Sequence, residues 1–185
     1  MRSTRNIKSI GAVILVASIA GNVYSAEGDS YLGIQYGIVT FSESGIPDFE
    51  PTALVGRYGK FTSDNIAVEG RLGFGLSDDS QDIGIGVDAD IEIDHILGVY
   101  GAYYSGTSSS TTRAYGILGF TQAEFTATIP GFGSVSADDS DISLGLGVNF
   151  EIGGNGFINL EYMNYGELLG SDITVIAIGY NAWFK

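Results

Sequence analysis

The pattern that decides the fold lies in residues 142–152, which read ISLGLGVNFEI. Large apolar side chains occupy every second position from Ile142 to Ile152, and the positions between them are small or polar. Only a β-strand sends alternate residues to opposite faces. The segment therefore predicts a strand with one wholly apolar face and one small or polar face.

The same period-two pattern recurs along the chain and predicts eight strands. Polar or acidic loops are expected at about 42–51, 77–89, 105–112 and 127–140, and a compact glycine turn at 153–156. The facing of residues 96–104, which are rich in glycine and tyrosine, stays open. The predicted strands are about Ser30–Phe41, Thr52–Phe61, Ile66–Leu76, Asp90–Tyr104, Arg113–Thr126, Ile142–Ile152, Phe157–Tyr165 and Asp172–Phe184.

These strands fit a membrane barrel better than a soluble β-sandwich, which is the competing class. Strands of about 9–11 residues cross a bilayer when tilted. The non-apolar face has mainly glycine and serine, whereas a solvent-facing sandwich surface would have more lysine and glutamate. The apolar face ends in tyrosines and phenylalanines, as in an interfacial girdle. The sequence predicts an all-β, eight-stranded, antiparallel, transmembrane up-and-down barrel.

The first 26 residues have the layout of a cleaved signal peptide. Arg2, Arg5 and Lys8 form a basic start, an apolar run of 11 residues covers 10–20, and small residues lead to Ala26. That run is too short to cross a bilayer as a helix. We therefore predict a signal peptide at 1–26, cleaved after Ser25 or Ala26, and one barrel domain at 27–185.

The predicted mature chain is strongly acidic. Removing residues 1–26 removes three basic residues and no acidic one, which changes the net charge from −14 to −17. Such a surface repels nucleic acid, and it repels anionic lipid unless divalent cations bridge the two. The chain has no cysteine, so strand closure and packing must stabilise it without disulfides.

Several short segments resemble the outer membrane protein β-barrel domain family, the small OmpX- and OmpA-like "porin family" barrels of Gram-negative bacteria. They occur in order over the mature chain: ALVGRYGKF at 53–61, AVEGR at 67–71, YGILGF at 115–120, LGLGV at 144–148, LEY at 160–162 and IAIGY at 176–180.

The resemblance implies an outer membrane location and a monomeric barrel, but no single activity, because such folds host several functions. It also implies that Tyr180 and Phe184 form the terminal signal for the barrel-assembly machinery. Lys185 after Phe184 departs from the terminal aromatic residue that this signal prefers.

Six charged residues fall on the predicted interior face. An eight-stranded barrel is just wide enough for side chains to fill it, and a buried charge needs a partner. We predict an interior polar network that closes the lumen, with a conducting pore as the alternative. Its members are Arg57, Glu69, Arg71, Glu124, Glu151 and Glu161.

Four carboxylates alternate just before and along the start of the fourth predicted strand: Asp88, Asp90, Glu92 and Asp94. On a regular strand they point the same way, and their mutual repulsion requires either solvation or a hard cation such as Ca²⁺ or Mg²⁺. No ordered calcium-loop motif accompanies them. An acidic, solvated rim is the favoured interpretation, with divalent cation contact as the weaker alternative.

His95 is the only histidine and the only candidate for an acyl-transfer base. Its neighbour Asp94 is expected to point to the opposite face, and no serine lies two residues away on the same face. The chain is therefore predicted not to be an enzyme.

The predicted role is a non-enzymatic surface protein, adhesin-like, with acidic loops and no cofactor. A narrow channel for small solutes and a lipid A-modifying enzyme are the alternatives. Expected partners are outer membrane lipids, lipopolysaccharide, the assembly machinery and a host or cell-surface ligand.

Overall fold

A computed structural model describes residues 27–43, 48–82, 88–107, 109–168 and 170–184. The predicted signal peptide at 1–26 lies outside these residues. Nine strands form: β1 Ser30–Ser42, β2 Thr52–Phe61, β3 Ile66–Ser77, β4 Asp79–Asp82, β5 Asp88–Tyr104, β6 Thr112–Ile129, β7 Gly133–Gly153, β8 Gly156–Leu168 and β9 Ser171–Phe184.

The strands close into the predicted antiparallel barrel. Each long strand pairs with its neighbour in sequence, β3 pairs with β5, and β1 pairs with β9 along its whole length. The short strand β4 follows β3 and pairs with the same neighbour, β5. It therefore continues the third strand of the barrel and does not add a ninth. The eight-stranded barrel is confirmed.

Alternation places a belt of large apolar side chains on the outside of the barrel. From the 142–152 segment, Ile142, Leu144, Leu146, Phe150 and Ile152 are exposed, as a lipid-facing surface requires. The open facing of residues 96–104 is settled: even-numbered residues point inward and odd-numbered residues outward. No helix long and apolar enough to cross a membrane occurs among the described residues.

The two ends of the barrel differ. At one end the chain enters and leaves at Ser30 and Phe184, which pair with each other, and the connections at 62–65, 105–111 and 154–155 lie there. We call this the short-turn end. The opposite end, called the loop end, is where β1 ends and β2 begins, where β4 ends and β5 begins, and where the β6–β7 and β8–β9 pairs end.

The predicted loop at Ala127–Ser140 is wrong. There β6 and β7 form a hairpin that remains paired from Thr112↔Phe150 to Ile129↔Gly133. Serine and threonine hydroxyls join its strands, Thr126 to Ser136 at 2.7 Å and Thr128 to Ser134 at 2.8 Å. This part of the hairpin keeps an apolar face, made of Phe125, Ala127, Ile129, Val135 and Ala137. The wrong prediction came from Pro130-Gly131 and Asp138-Asp139, which are typical of loops.

The barrel interior has three layers. Aromatic rings fill the short-turn end. The ring centres of contacting pairs are 4.8–6.4 Å apart, and the pairs are formed by Tyr31, Phe61, Tyr104, Phe157 and Trp183. Charged and amide side chains occupy the middle. Aliphatic side chains and the Phe41–Phe125 ring pair, 4.9 Å apart, fill the loop end.

Candidate functional site

The middle layer is built by strand register. Arg57 on β2 lies directly opposite Arg71 on β3, so both guanidinium groups enter the lumen at one level. Glu69 precedes Arg71 by two residues and therefore shares its inward face. Glu161 comes from β8, which is not a neighbour of either strand, so contacts to it bridge the lumen.

These four side chains form a closed ring of ion pairs. Glu69 accepts hydrogen bonds from Arg57 Nη2 at 2.5 Å and from Arg71 Nε at 2.6 Å. Glu161 binds Arg71 through two parallel bonds, Nη1 to Oε1 at 2.6 Å and Nη2 to Oε2 at 2.8 Å. Arg57 Nη1 lies 3.5 Å from Glu161 Oε2. Two cations and two anions make the ring electrically neutral.

Hydroxyl and amide groups satisfy the remaining hydrogen bonds of the ring. Tyr31 donates to Glu69, and Tyr115 donates to Glu161 at 2.6 Å. Asn159 accepts from Arg57 Nη1 at 3.1 Å and donates to Tyr115 at 2.7 Å. Sequence reasoning missed these partners, although Asn159 has the same inward parity as Glu161 and could have been included on that signal.

The network leaves little open space in the barrel. All four charged side chains are at most 1% exposed. A cavity of about 10 Å³ lies beside the ring, lined by residues that include Gln35, Val55, Glu161 and Tyr165. That volume holds about one water molecule. Together with the aromatic layer, the ring closes the lumen.

Glu124 and Glu151 do not belong to this network, which corrects the prediction. The side chain of Glu124 points outward and lies 3.4 Å from His95 Nδ1. Strand β6 has apolar residues on both faces, with Ile117 inside and Leu118 outside, so its pattern does not fix its facing. Glu151 has the inward parity but is exposed at the short-turn end, beyond the closed part of the barrel.

A β-bulge changes the expected surroundings of His95. The pairing of β5 with β6 shifts register between Ile93 and His95, which makes Asp94 an extra residue. Asp94 accepts a hydrogen bond from Thr126 at 2.7 Å while His95 contacts Glu124. Both partners lie on the outer face of β6, so Asp94 and His95 point to the same side, contrary to the prediction from simple alternation.

The acidic ladder lies on the loop-end part of β5. Asp90 accepts a hydrogen bond from Ser80 of β4, and Asp94 accepts one from Thr126. Asp88 and Glu92 are exposed. Among the described residues, no group of three or more His, Asp or Glu side chains is placed to hold a metal ion.

At the loop end, strands β4 to β7 form a continuous sheet of 79–82, 88–95, 122–129 and 133–141, which we call the projecting sheet. Its base, where Ile93 and Phe125 are buried, covers the barrel interior, and its tip extends past the interior. The projecting sheet has many carboxylates and no lysine or arginine. Between Glu27 and Phe184 the only cationic residues besides His95 are Arg57, Lys60, Arg71 and Arg113. Arg57 and Arg71 lie in the lumen, and Lys60 and Arg113 lie near the short-turn end.

Asp79 of β4 forms a hydrogen bond with Glu50, which lies in the connection between β1 and β2. Its carboxylate accepts hydrogen bonds from the backbone N–H of Glu50 at 2.9 Å and from the Gln81 amide at 3.0 Å. Burial alone would raise the pKa of Asp79, but these bonds and one from the Ser80 backbone outweigh it and lower the pKa. Glu50 follows Phe49, whose ring is buried at the loop end.

Tyr180 and Phe184 of the predicted assembly signal lie on the outer face of β9 near the short-turn end. The Phe184 ring centre is 6.4 Å from that of Tyr58. Tyr180 lies opposite Ile34 and Ile158 on the two neighbouring strands. Both rings thus face the lipid at the rim of the barrel.

Comparison with known proteins identifies the family to which this barrel is similar. The sequence matches the family described as "Outer membrane protein beta-barrel domain" over residues 10–183. No curated protein matches it.

Solved structures share the fold at low sequence identity. Ail, the attachment invasion locus protein of Yersinia pestis, is 18% identical, with a TM-score of 0.63 over 85% of this chain and 99% of Ail. Ail in complex with the heparin analogue sucrose octasulfate gives 19% identity and a TM-score of 0.59 over the same shares. OprG from Pseudomonas aeruginosa is 15% identical, with a TM-score of 0.56 over 88% of this chain and 99% of OprG.

Proposed function

Because the chain belongs to the outer membrane protein β-barrel domain family, we propose that it is a non-enzymatic surface protein that presents its projecting sheet to partners outside the cell. Barrels of this kind have short turns in the periplasm and long loops outside, which assigns the loop end to the exterior. Residues 1–26 would then be the export signal, and Tyr180 and Phe184 the signal for assembly.

The projecting sheet is the observation that supports this proposal most directly. Strands β6 and β7 have 18 and 21 residues, whereas about 9–11 residues are enough to cross a bilayer. The extra residues form a paired, hydrogen-bonded sheet rather than a loose loop. A rigid extension outside the membrane offers a defined surface for recognition, since rigidity lowers the entropic cost of binding.

The closed lumen argues against the channel alternative. A solute would have to displace a neutral ring of fully hydrogen-bonded charges, and breaking a buried ion pair is costly. We expect no discrete conductance steps when the purified protein is inserted into planar bilayers. Regular single-channel steps would support the channel instead.

The acidic loop end also limits the class of partner. The solved complex of Ail contains a polysulfated ligand, but the projecting sheet of this chain has no lysine or arginine to bind sulfate. We propose that its partners are neutral or cationic. Contact with lipopolysaccharide phosphates would require bridging divalent cations.

The orientation can be tested with single cysteines, because the chain has none of its own. Ser134→Cys lies in the projecting sheet and Thr111→Cys in a connection at the short-turn end. A membrane-impermeant maleimide should label Ser134→Cys on intact cells and Thr111→Cys only after permeabilisation.

Heat-modifiability of both variants on unboiled gels serves as the folding control. Labelling of Thr111→Cys on intact cells, with Ser134→Cys protected, would reverse the orientation and contradict the proposal. A soluble periplasmic protein without a heat shift would contradict it as well.

A further inference from the structure

A groove lies on the outer, lipid-facing wall of the barrel and crosses strands β1, β2, β3 and β5. Its volume is about 720 Å³, and exposed apolar side chains form its walls. Two of its lining residues have no side chain, Gly56 on β2 and Gly70 on β3. Gly56 lies opposite Leu72 and Gly70 lies opposite Tyr58, so the two glycines are diagonal neighbours on adjacent strands. They form the floor of the groove.

The groove is open because no neighbouring side chain covers Gly70. A Cβ added at Gly70 would meet nothing within 4 Å. The opposite residue, Tyr58, leans toward β1, where its hydroxyl donates to Ser30 Oγ at 3.4 Å and its ring contacts that of Phe184. Glycines of the inner wall such as Gly147, in contrast, lie against a tyrosine ring. The direction of the Tyr58 ring therefore leaves room for a molecule from the surrounding membrane.

An exposed lysine lies at the short-turn end of the groove. Lys60 follows Tyr58 by two residues, so both share the outward face of β2. Lys60 is the only exposed lysine or arginine between Glu27 and Phe184, because the three arginines of this range are buried. Within the part of the chain that the structure describes, Lys60 forms no ion pair. Its charge is available to a ligand.

The length of the groove matches one leaflet of a bilayer. Leu54 at its far end precedes Lys60 by six residues, which is about 20 Å along a strand. A tilt of about 35–45° reduces this to a depth of about 15 Å, which is half of the hydrocarbon thickness of about 30 Å. Lys60 and Phe184 both pair with Ser30, and aromatic rings at the rim mark the interface. The groove thus runs from the interface to the bilayer centre.

A lipid is a better occupant of this groove than a second copy of the chain. Two copies in one membrane associate about an axis along the membrane normal, so a symmetric dimer through the groove would bring both Lys60 side chains to one level. Their ammonium groups would repel each other. An acyl chain instead supplies the dispersion contacts that a bare groove lacks, and a phosphate group supplies the charge opposite to that of Lys60.

We propose that the groove binds one phospholipid with an anionic headgroup, from the leaflet at the short-turn end. One acyl chain lies over Gly56 and Gly70, and the phosphate pairs with the ammonium group of Lys60, whose stem extends along the apolar wall. In the orientation proposed above, this is the periplasmic leaflet. The inference rests on the proposed function for the identity of the leaflet alone.

The test uses two phospholipid probes with a photoactivatable diazirine midway along one acyl chain, one with a phosphatidylglycerol headgroup and one with phosphatidylcholine. The full chain is refolded into phosphatidylcholine vesicles with a trace of one probe, and crosslinked residues are mapped by mass spectrometry. Phosphatidylglycerol should label Leu72 and Val99 about fivefold more than phosphatidylcholine does. Leu160, which is exposed on β8 at the opposite side of the barrel, should be labelled equally by both probes.

Two matched pairs of variants separate the headgroup contact from the groove. Lys60→Gln should remove the preference for phosphatidylglycerol at Leu72, and Lys60→Arg should retain it. Gly70→Leu fills the groove and should also remove the preference, although Lys60 is intact. Gly116→Leu adds the same side chain to an outward glycine of β6 outside the groove and should have no effect. Heat-modifiability on unboiled gels serves as the folding control for all four variants.

Equal labelling of the groove by the two probes in the wild type would overturn the proposal. A preference that persists in Lys60→Gln or in Gly70→Leu would overturn it as well. A dimer of the wild type in analytical ultracentrifugation that is lost in Gly70→Leu would assign the groove to a second copy instead. None of these results depends on which end of the barrel faces the exterior, so the failure of this inference and the failure of the proposed orientation are distinguishable.

Discussion

At the scale of single residues, the lumen shows for which charged side chains the inward or outward direction can be predicted from sequence. Alternation places Glu69 and Arg71 on the inward face of one strand, and their facing follows directly from the sequence. The inward parity of Glu151 is also correct, but parity does not reveal where the closed barrel ends. The facing of Glu124 could not be predicted, because β6 is apolar on both faces and its neighbour β5 contains a bulge.

Loss of one carboxylate from the ring should destabilise the barrel. Glu161→Gln leaves two arginines with one glutamate, so one buried positive charge loses its partner. We expect the free energy of unfolding to fall by about 3–5 kcal/mol, measured by denaturant titration in lipid vesicles. Glu151→Gln, an exposed change of the same kind, should stay within about 0.5 kcal/mol; equal effects would contradict the role of the ring.

A glycine of the inner wall should also be sensitive to substitution. The Tyr115 ring lies against Gly147, where an added Cβ would be 2.3 Å from the ring carbon Cζ. Gly147→Ala must displace Tyr115 and its bond to Glu161, which should cost about 1–3 kcal/mol by overpacking. Gly70→Ala is the matched control, since nothing lies within 4 Å of its added Cβ. The midpoint of thermal unfolding on gels distinguishes the two variants.

At the scale of strands, most boundaries could be predicted because each membrane-crossing strand has lipid on one side. That environment imposes a continuous apolar face, as in β1 and β9, whose observed bounds differ little from those expected. Outside the membrane the requirement disappears. The outer halves of β6 and β7 still alternate apolar and hydroxyl residues, but Pro130-Gly131 and Asp138-Asp139 are typical of a loop, and the sequence therefore suggested one.

The connection between the first loop and β4 should depend on pH. The pKa of Asp79 is lower in the folded protein than in the unfolded chain, so its stabilising effect is fully present above the ordinary aspartate value of about 4. The effect is lost as the pH falls through the lowered folded value. The protection factor of the Glu50 amide, which is the ratio of its intrinsic to its observed exchange rate at the same pH, should fall there. In Asp79→Asn, which cannot titrate, the same acidification should leave the protection factor unchanged.

At the scale of the whole molecule, charge is sorted by location. The arginines of residues 27–184 lie inside the barrel or near the short-turn end, and carboxylates dominate the loop end. The net acidity could be predicted from composition, but this separation could not, because it depends on which strands extend beyond the membrane and how far.

This separation predicts that the protein does not bind sulfated polysaccharides. Refolded protein should pass through a heparin column at low ionic strength, where attraction between opposite charges is strongest. A variant with Asp138→Lys and Asp90→Lys should be retained more than the wild type. Retention of the wild type that is abolished by salt would show a cationic surface that the described residues do not have.

The seam between β1 and β9 has a consequence for how the molecule is made. Ser30 pairs with Phe184, so the first and last strands of the barrel meet although about 150 residues separate them in sequence. Contacts this distant in sequence form slowly, because the conformational entropy of the intervening chain is lost before strand pairing contributes stabilising free energy. The barrel cannot close until the last strand has been synthesised. The chain therefore passes through an unpaired intermediate, and the mutual repulsion of its many carboxylates opposes aggregation of that intermediate.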